Sequence, residues 1–155
     1  MNIVAALLPA ITTIAGAIIG AAVSYLVSRN QFRAAVLSKN RQDWINSLRD
    51  CLAEFNAILY DTFAHAHSGG LTRDARECAN AFMRANAVRS KVTLLLNPSE
   101  SDHSQLLDVM RKMSDSATRA DDPVAATAFA EQDEQFTSLA QKILKREWER
   151  VKKGK

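Results

Sequence analysis

Residues 3–28 read IVAALLPAITTIAGAIIGAAVSYLVS, a stretch without one charged side chain, and the first charge of the chain is Arg29. As a helix this stretch is about 39 Å long at 1.5 Å per residue, and the hydrocarbon core of a bilayer is about 30 Å thick. The spacing predicts a transmembrane helix. A cleaved secretory signal fits less well, because the start Met-Asn-Ile-Val carries no basic side chain and the apolar run is longer than a signal needs. A buried core helix is seldom so long without a charge. Pro9 is compatible with the span, since a helix opened there places proline in its tolerated first turn and still reaches Ser28.

All 20 Lys and Arg and all 17 Asp and Glu lie beyond residue 28. The mean hydropathy of −0.16 therefore averages two unlike parts. The expected organisation is a transmembrane anchor, residues 1–28, and a helical domain, residues 29–155, large enough for one core of its own. Arg29, Arg33, Lys39 and Arg41 follow the apolar stretch and no basic residue precedes it. By the positive-inside rule the chain is expected to be a single-pass membrane protein, amino terminus outside and domain in the cytoplasm. Cys51 and Cys78 would then meet a reducing compartment, and they read as small core residues rather than a disulfide.

The charged part carries helical periodicity throughout. Trp44, Leu48, Cys51, Leu52, Phe55, Leu59 and Phe63 recur at three and four, and Ser68, Gly69 and Gly70 stop that helix. A second helix is expected from Thr72 or Arg73 to Leu96 with Cys78, Phe82, Ala85, Val88, Val92 and Leu95 inward. Ser99 and Asp102 suggest the capped start of a third, carrying Leu106, Leu107, Met110 and Met113. Asp122 followed by Pro123 makes an N-cap and first position for a fourth, with Phe129, Phe136, Leu139, Ala140, Ile143 and Leu144 inside and Gly154 at its end. No strand alternation or repeat is present. The expected fold class is all-α, one amino-terminal transmembrane helix followed by a cytosolic up-down bundle of about four helices.

Two surface patterns stand out. Thr12, Gly16, Gly20 and Ser24 form a stripe of small residues along the apolar helix, where a second helix could pack closely. The chain ends on Lys145, Arg146, Trp148, Arg150, Lys152, Lys153 and Lys155. If the four helices alternate in direction, this end returns to the bilayer, and with Arg29 and Arg33 it is expected to touch the headgroups of an anionic inner leaflet. A sequence pI near 9.0 alone does not make a nucleic-acid binder: acidic residues are interleaved, and zinc-finger, aromatic RNA-binding and Gly-rich motifs are missing.

Reaction chemistry is not legible. No nucleophile elbow, Walker loop or dinucleotide fingerprint occurs. Asp61, His65 and His67 could be drawn as a metal site, but two histidines at i and i+2 leave a helix on different sides. His103 beside Asp102 reads as a packing or capping residue at a helix start. Neither an enzyme nor a cofactor or metal site is expected. The run from Arg41 to Asp50 just beyond the apolar stretch, the later Leu96-Asn97-Pro98 with His103, and the closing Glu147-Trp148 resemble small bacterial and phage-borne membrane proteins. That resemblance implies a single span with a cytosolic helical bundle and no assigned activity. The expected function is a membrane-anchored interaction or scaffold module, whose partners are lipid and either a second copy or another membrane protein. The alternative is an oligomeric membrane effector or pore-forming defence protein.

Overall fold

The computed structural model describes the backbone of residues 3–67 and 75–153, and the side chains of 13, 16–29, 31–32, 35–67 and 76–153. Among these residues the chain is all helix and turn: α1 (Ile3–His67), α2 (Ala75–Leu95), α3 (Ser101–Ala117) and α4 (Pro123–Lys152). The expected anchor and first bundle helix are one element, because no Gly or Pro interrupts Ser24 to His67. α1 also runs through Pro9 instead of opening at it.

Neighbouring helices are antiparallel. The Trp44 Nε1–H donates to the Leu95 carbonyl at 2.8 Å, joining the start of the bundle portion of α1 to the end of α2. Along α4 the order reverses again: Phe63 stacks on Phe129, Phe55 meets Phe136, and Arg41 pairs with Glu147 at 3.7 Å. α3 packs most extensively on α4, and α1 on α2. This is the expected up-down bundle. Its core holds the predicted Leu48, Leu52, Phe55 and Leu59 of α1, joined by Ile45 and Ile58, with Val88 and Val92 of α2, Leu106, Met110 and Met113 of α3, and Phe129, Phe136 and Ile143 of α4.

Two inward assignments on α2 are corrected. Cys78 and Phe82 have the helical spacing of the core face, yet both are exposed. At their level α1 turns its aromatic side chains to α4, where Tyr60 and Phe63 both pack on Phe129, so the outer part of α2 finds no apolar partner. The start of α3 also differs. Its N-cap is Glu100, whose side chain accepts no capping hydrogen bond, while the Asn97 side chain accepts the Ser99 N–H at 3.1 Å. The α4 start is as expected, with Asp122 accepting the Val124 N–H at 2.9 Å and Pro123 behind it.

Among the described residues no helix is long and apolar enough to cross a membrane. The side chains of residues 3–12, 14 and 15, which make up much of the expected span, lie outside the described residues, as does the expected stop at 68–70. What is described of that region is an apolar helix surface without protein against it: Ile18, Ile19, Val23, Tyr25, Leu26 and Val27 are all exposed.

Candidate functional site

The densest polar assembly lies where the start of α3 meets the last turns of α4. Arg146 is at its centre. Its guanidinium reaches Asp102 through Nη1 at 2.6 Å and Glu100 through Nη2, while Nε lies 3.3 Å from Glu147. Glu147 also accepts from Arg150 at 2.7 Å and takes Arg41 of α1 on its other oxygen. Asp102, His103 and Glu147 are buried. Burial pulls the Arg146 pKa down, but the carboxylates of Asp102, Glu100 and Glu147 outweigh it and hold the pKa above the ordinary arginine value. The guanidinium stays charged and ties α3 to α4, and Glu147 extends the tie to α1.

His103 completes the cluster. Its Nδ1 accepts the Asn97 N–H at 3.0 Å, and its Nε2 lies 2.9 Å from Arg146 Nη2. Both ring nitrogens therefore face N–H donors, and a neutral imidazole offers an acceptor to one of them at a time. Glu100, Asp102 and His103 bring their oxygen and nitrogen atoms within 4.8 Å of one another, a set that could hold a divalent ion. Arg146 contacts all three, so an ion there would have to displace a guanidinium.

Beside this cluster the two halves of α4 differ in charge. The outer half carries Glu131, Asp133 and Glu134 and no base, and with Asp108 of α3 it borders a groove of about 670 Å³. The inner half lines a groove of about 420 Å³ with Lys142, Lys145, Arg146, Glu149, Arg150 and Lys153.

Sequence-expected residues sort accordingly. A Cβ placed on Gly16 or Gly20 would meet nothing within 4 Å, and Ser24 is exposed, so the stripe is bare within this chain; Thr12 lies outside the described residues. Arg29, Lys145, Trp148, Lys152 and Lys153 are exposed or half-buried at the surface, whereas Arg33 and Lys155 lie outside the described side chains. Arg146 and Arg150 also belong to the ion-pair cluster. Of Asp61, His65 and His67 only the first two meet: His65 Nδ1 sits 3.3 Å from Asp61 Oδ1 and 2.6 Å from the Asp61 carbonyl, while His67 reaches the Ala120 carbonyl at 3.0 Å. Sequence reasoning missed Glu100 and Glu147. Their signal was two acids and a histidine at a helix start in a chain with Arg146 and Arg150 near its end, but only the antiparallel pairing of α3 and α4 makes it a contact.

Comparison of the chain with family models, curated proteins and solved structures finds no match in any of the three.

Proposed function

We propose that the protein is a membrane-anchored helical tether. Residues 3–28 cross a bacterial inner membrane with the amino terminus outside, and the bundle stands on the cytoplasmic face as an interaction module. The observation that carries this reading is the division of α1. One unbroken helix buries Ile45, Leu48 and Phe55 completely in the bundle, while its described large apolar residues from Ile18 to Leu37 are exposed. Exposed large apolar residues gathered in this way mark a contact with lipid or protein. The charge-free sequence and the basic residues after it support lipid.

The small-residue stripe supports a second element of the reading, pairing of spans between copies. Because nothing in the chain itself crowds Gly16 or Gly20, a larger side chain there is tolerated by the monomer and disturbs only another chain. The test is the mass of the full-length protein in mild detergent beside the double variant Gly16→Leu, Gly20→Leu, after showing that alkaline washing leaves wild type in the membrane fraction. Retention and a defined oligomer that dissociates in the variant are expected. Extraction by alkali would overturn the anchor. A monomer in both would leave the anchor and remove pairing. A span-dependent collapse of membrane potential on expression would replace the tether with an oligomeric effector.

A further inference from the structure

We infer that the inner end of the bundle is a second membrane contact, a phosphate-binding face on α4 that docks on anionic lipid headgroups beside the anchor. The inference rests on the anchored reading above. Its ground is the polarity of two antiparallel helices. Between Arg29 and Gln42, α1 carries Arg29, Arg33, Lys39 and Arg41 and no acid; beyond that it carries Asp43, Asp50, Glu54 and Asp61 against a single Arg49. α4 is acidic in its outer half and basic at its end. The preference of cations for helix C-termini accounts for α4 alone. It does not account for α1, whose basic stretch lies mid-helix. Because the two helices run in opposite directions, with Arg41 beside Glu147 and Phe63 beside Phe129, both basic stretches fall at the same end.

That end is near the proposed bilayer. From Ser28 to Arg41 is about 20 Å of helix, and α4 continues past Glu147 to Lys153 for about 9 Å back toward Ser28. The last turn of α4 thus comes within about 11 Å of the end of the apolar stretch, comparable to the Debye length at physiological salt. The groove there is lined mainly by the carbon stems of Lys142, Lys145, Arg146, Arg150 and Lys153, with their charged ends at its rim and Glu149 as its one carboxylate. Lys145 and Lys153 have no acidic partner among the described residues, and Lys142 is 4.0 Å from Asp102. Arg146 and Arg150 are held rigid by Glu100 and Glu147. Next to it, Lys152 lies 3.2 Å from the centre of the Trp148 ring and 3.8 Å from Glu149 at the surface, placing an aromatic with a cation where interfacial tryptophans sit. Near an anionic surface each such cation strengthens association about fivefold.

The test uses the full-length protein in nanodiscs of phosphatidylcholine, with or without phosphatidylglycerol, and reads amide hydrogen exchange along α4. Exchange over residues 142–153 is expected to slow several-fold when phosphatidylglycerol is present, with α3 unchanged. The triple variant Lys145→Gln, Lys152→Gln, Lys153→Gln is expected to enter the discs, keep α3 protection and lose the difference. Equal exchange in both lipids would overturn the docking while leaving the anchor in place. Equal slowing by inorganic phosphate in phosphatidylcholine discs would assign the groove to a free anion and overturn the lipid assignment. A chain that does not enter discs overturns anchor and docking together, and is recognised before exchange is read.

Discussion

The two ends of α1 are parts of one helix, and they solve different problems. From Trp44 to Phe63 the apolar residues make a stripe, with Asn46, Arg49, Asp50 and Glu54 on the remaining surface, and Phe55 is 0% exposed. From Gly16 to Ser28 large apolar residues and small neutral ones share the whole circumference, and Ile18 and Ile19 are each 64% exposed. A helix apolar on one face needs a bundle; a helix apolar all round needs an apolar medium. Helix formation is common to both, so it carries no information on which surroundings apply. Periodicity does.

Truncating one side chain in each half tests the distinction most strongly. Phe55→Ala should destabilise the bundle by about 3–5 kcal/mol, because it empties a fully buried site between α1 and Phe136. Ile19→Ala should leave the bundle's melting midpoint unchanged. Trp44 fluorescence during thermal unfolding reads both. A comparable loss in the Ile19 variant would mean that the apolar half packs on the bundle. Ile19→Arg adds the complementary arm: an arginine near the centre of a spanning helix costs about 2.5–3.5 kcal/mol of insertion, so retention in alkali-washed membranes should fall while the bundle stays folded.

A second contrast concerns charge at the junction of α3 and α4. Arg146→Met should cost about 2–4 kcal/mol, since it leaves Asp102, whose side chain is 7% exposed, without its nearest cation and takes one of three from Glu147. Arg146→Lys should recover only part of this in chemical denaturation. One ammonium cannot reproduce the fork that contacts Glu100, Asp102 and Glu147 together. Full recovery by lysine would reduce the cluster to simple charge balance.

Most of the fold was legible because periodicity and punctuation act locally. Asp122-Pro123 opens α4 as read, and Leu48, Val92, Met110 and Ile143 are all in the core. The failures are non-local. Cys78 and Phe82 have the right spacing and are nonetheless exposed, while Tyr60 and Phe63 of α1 pack on α4. The candidate site was legible in composition and not in geometry. The basic tail could be seen, but Arg146 and Lys145 are neighbours in sequence with opposite fates, one clamped by α3 and one facing solvent, and no local rule separates them.

A smaller effect lies at the outer end of the bundle. Asp122→Ala should cost about 1 kcal/mol in urea denaturation, the value of an N-cap side chain that satisfies one backbone N–H. A loss near zero would show that Pro123 alone fixes the start of α4.

The smallest effect is a pH dependence at the α1–α4 contact. The Tyr60 hydroxyl donates to Asp133 Oδ2 at 2.7 Å. That hydrogen bond, then burial, then the negative charge of Asp133 raise the Tyr60 pKa above its ordinary 10.0. The folded state holds the phenolic proton more tightly than the unfolded chain does. Its contribution is therefore fully present below pH 10.0 and is lost as pH rises through the folded value. Wild type should lose stability faster than Tyr60→Phe as pH is raised above 10.0, where phenolate would face carboxylate. Tyr60 is half exposed and water screens the contact, so the difference in urea midpoint will be small. Parallel curves for the two proteins would reduce the contact to the edge-on packing of Tyr60 against Phe129, which the Phe variant retains.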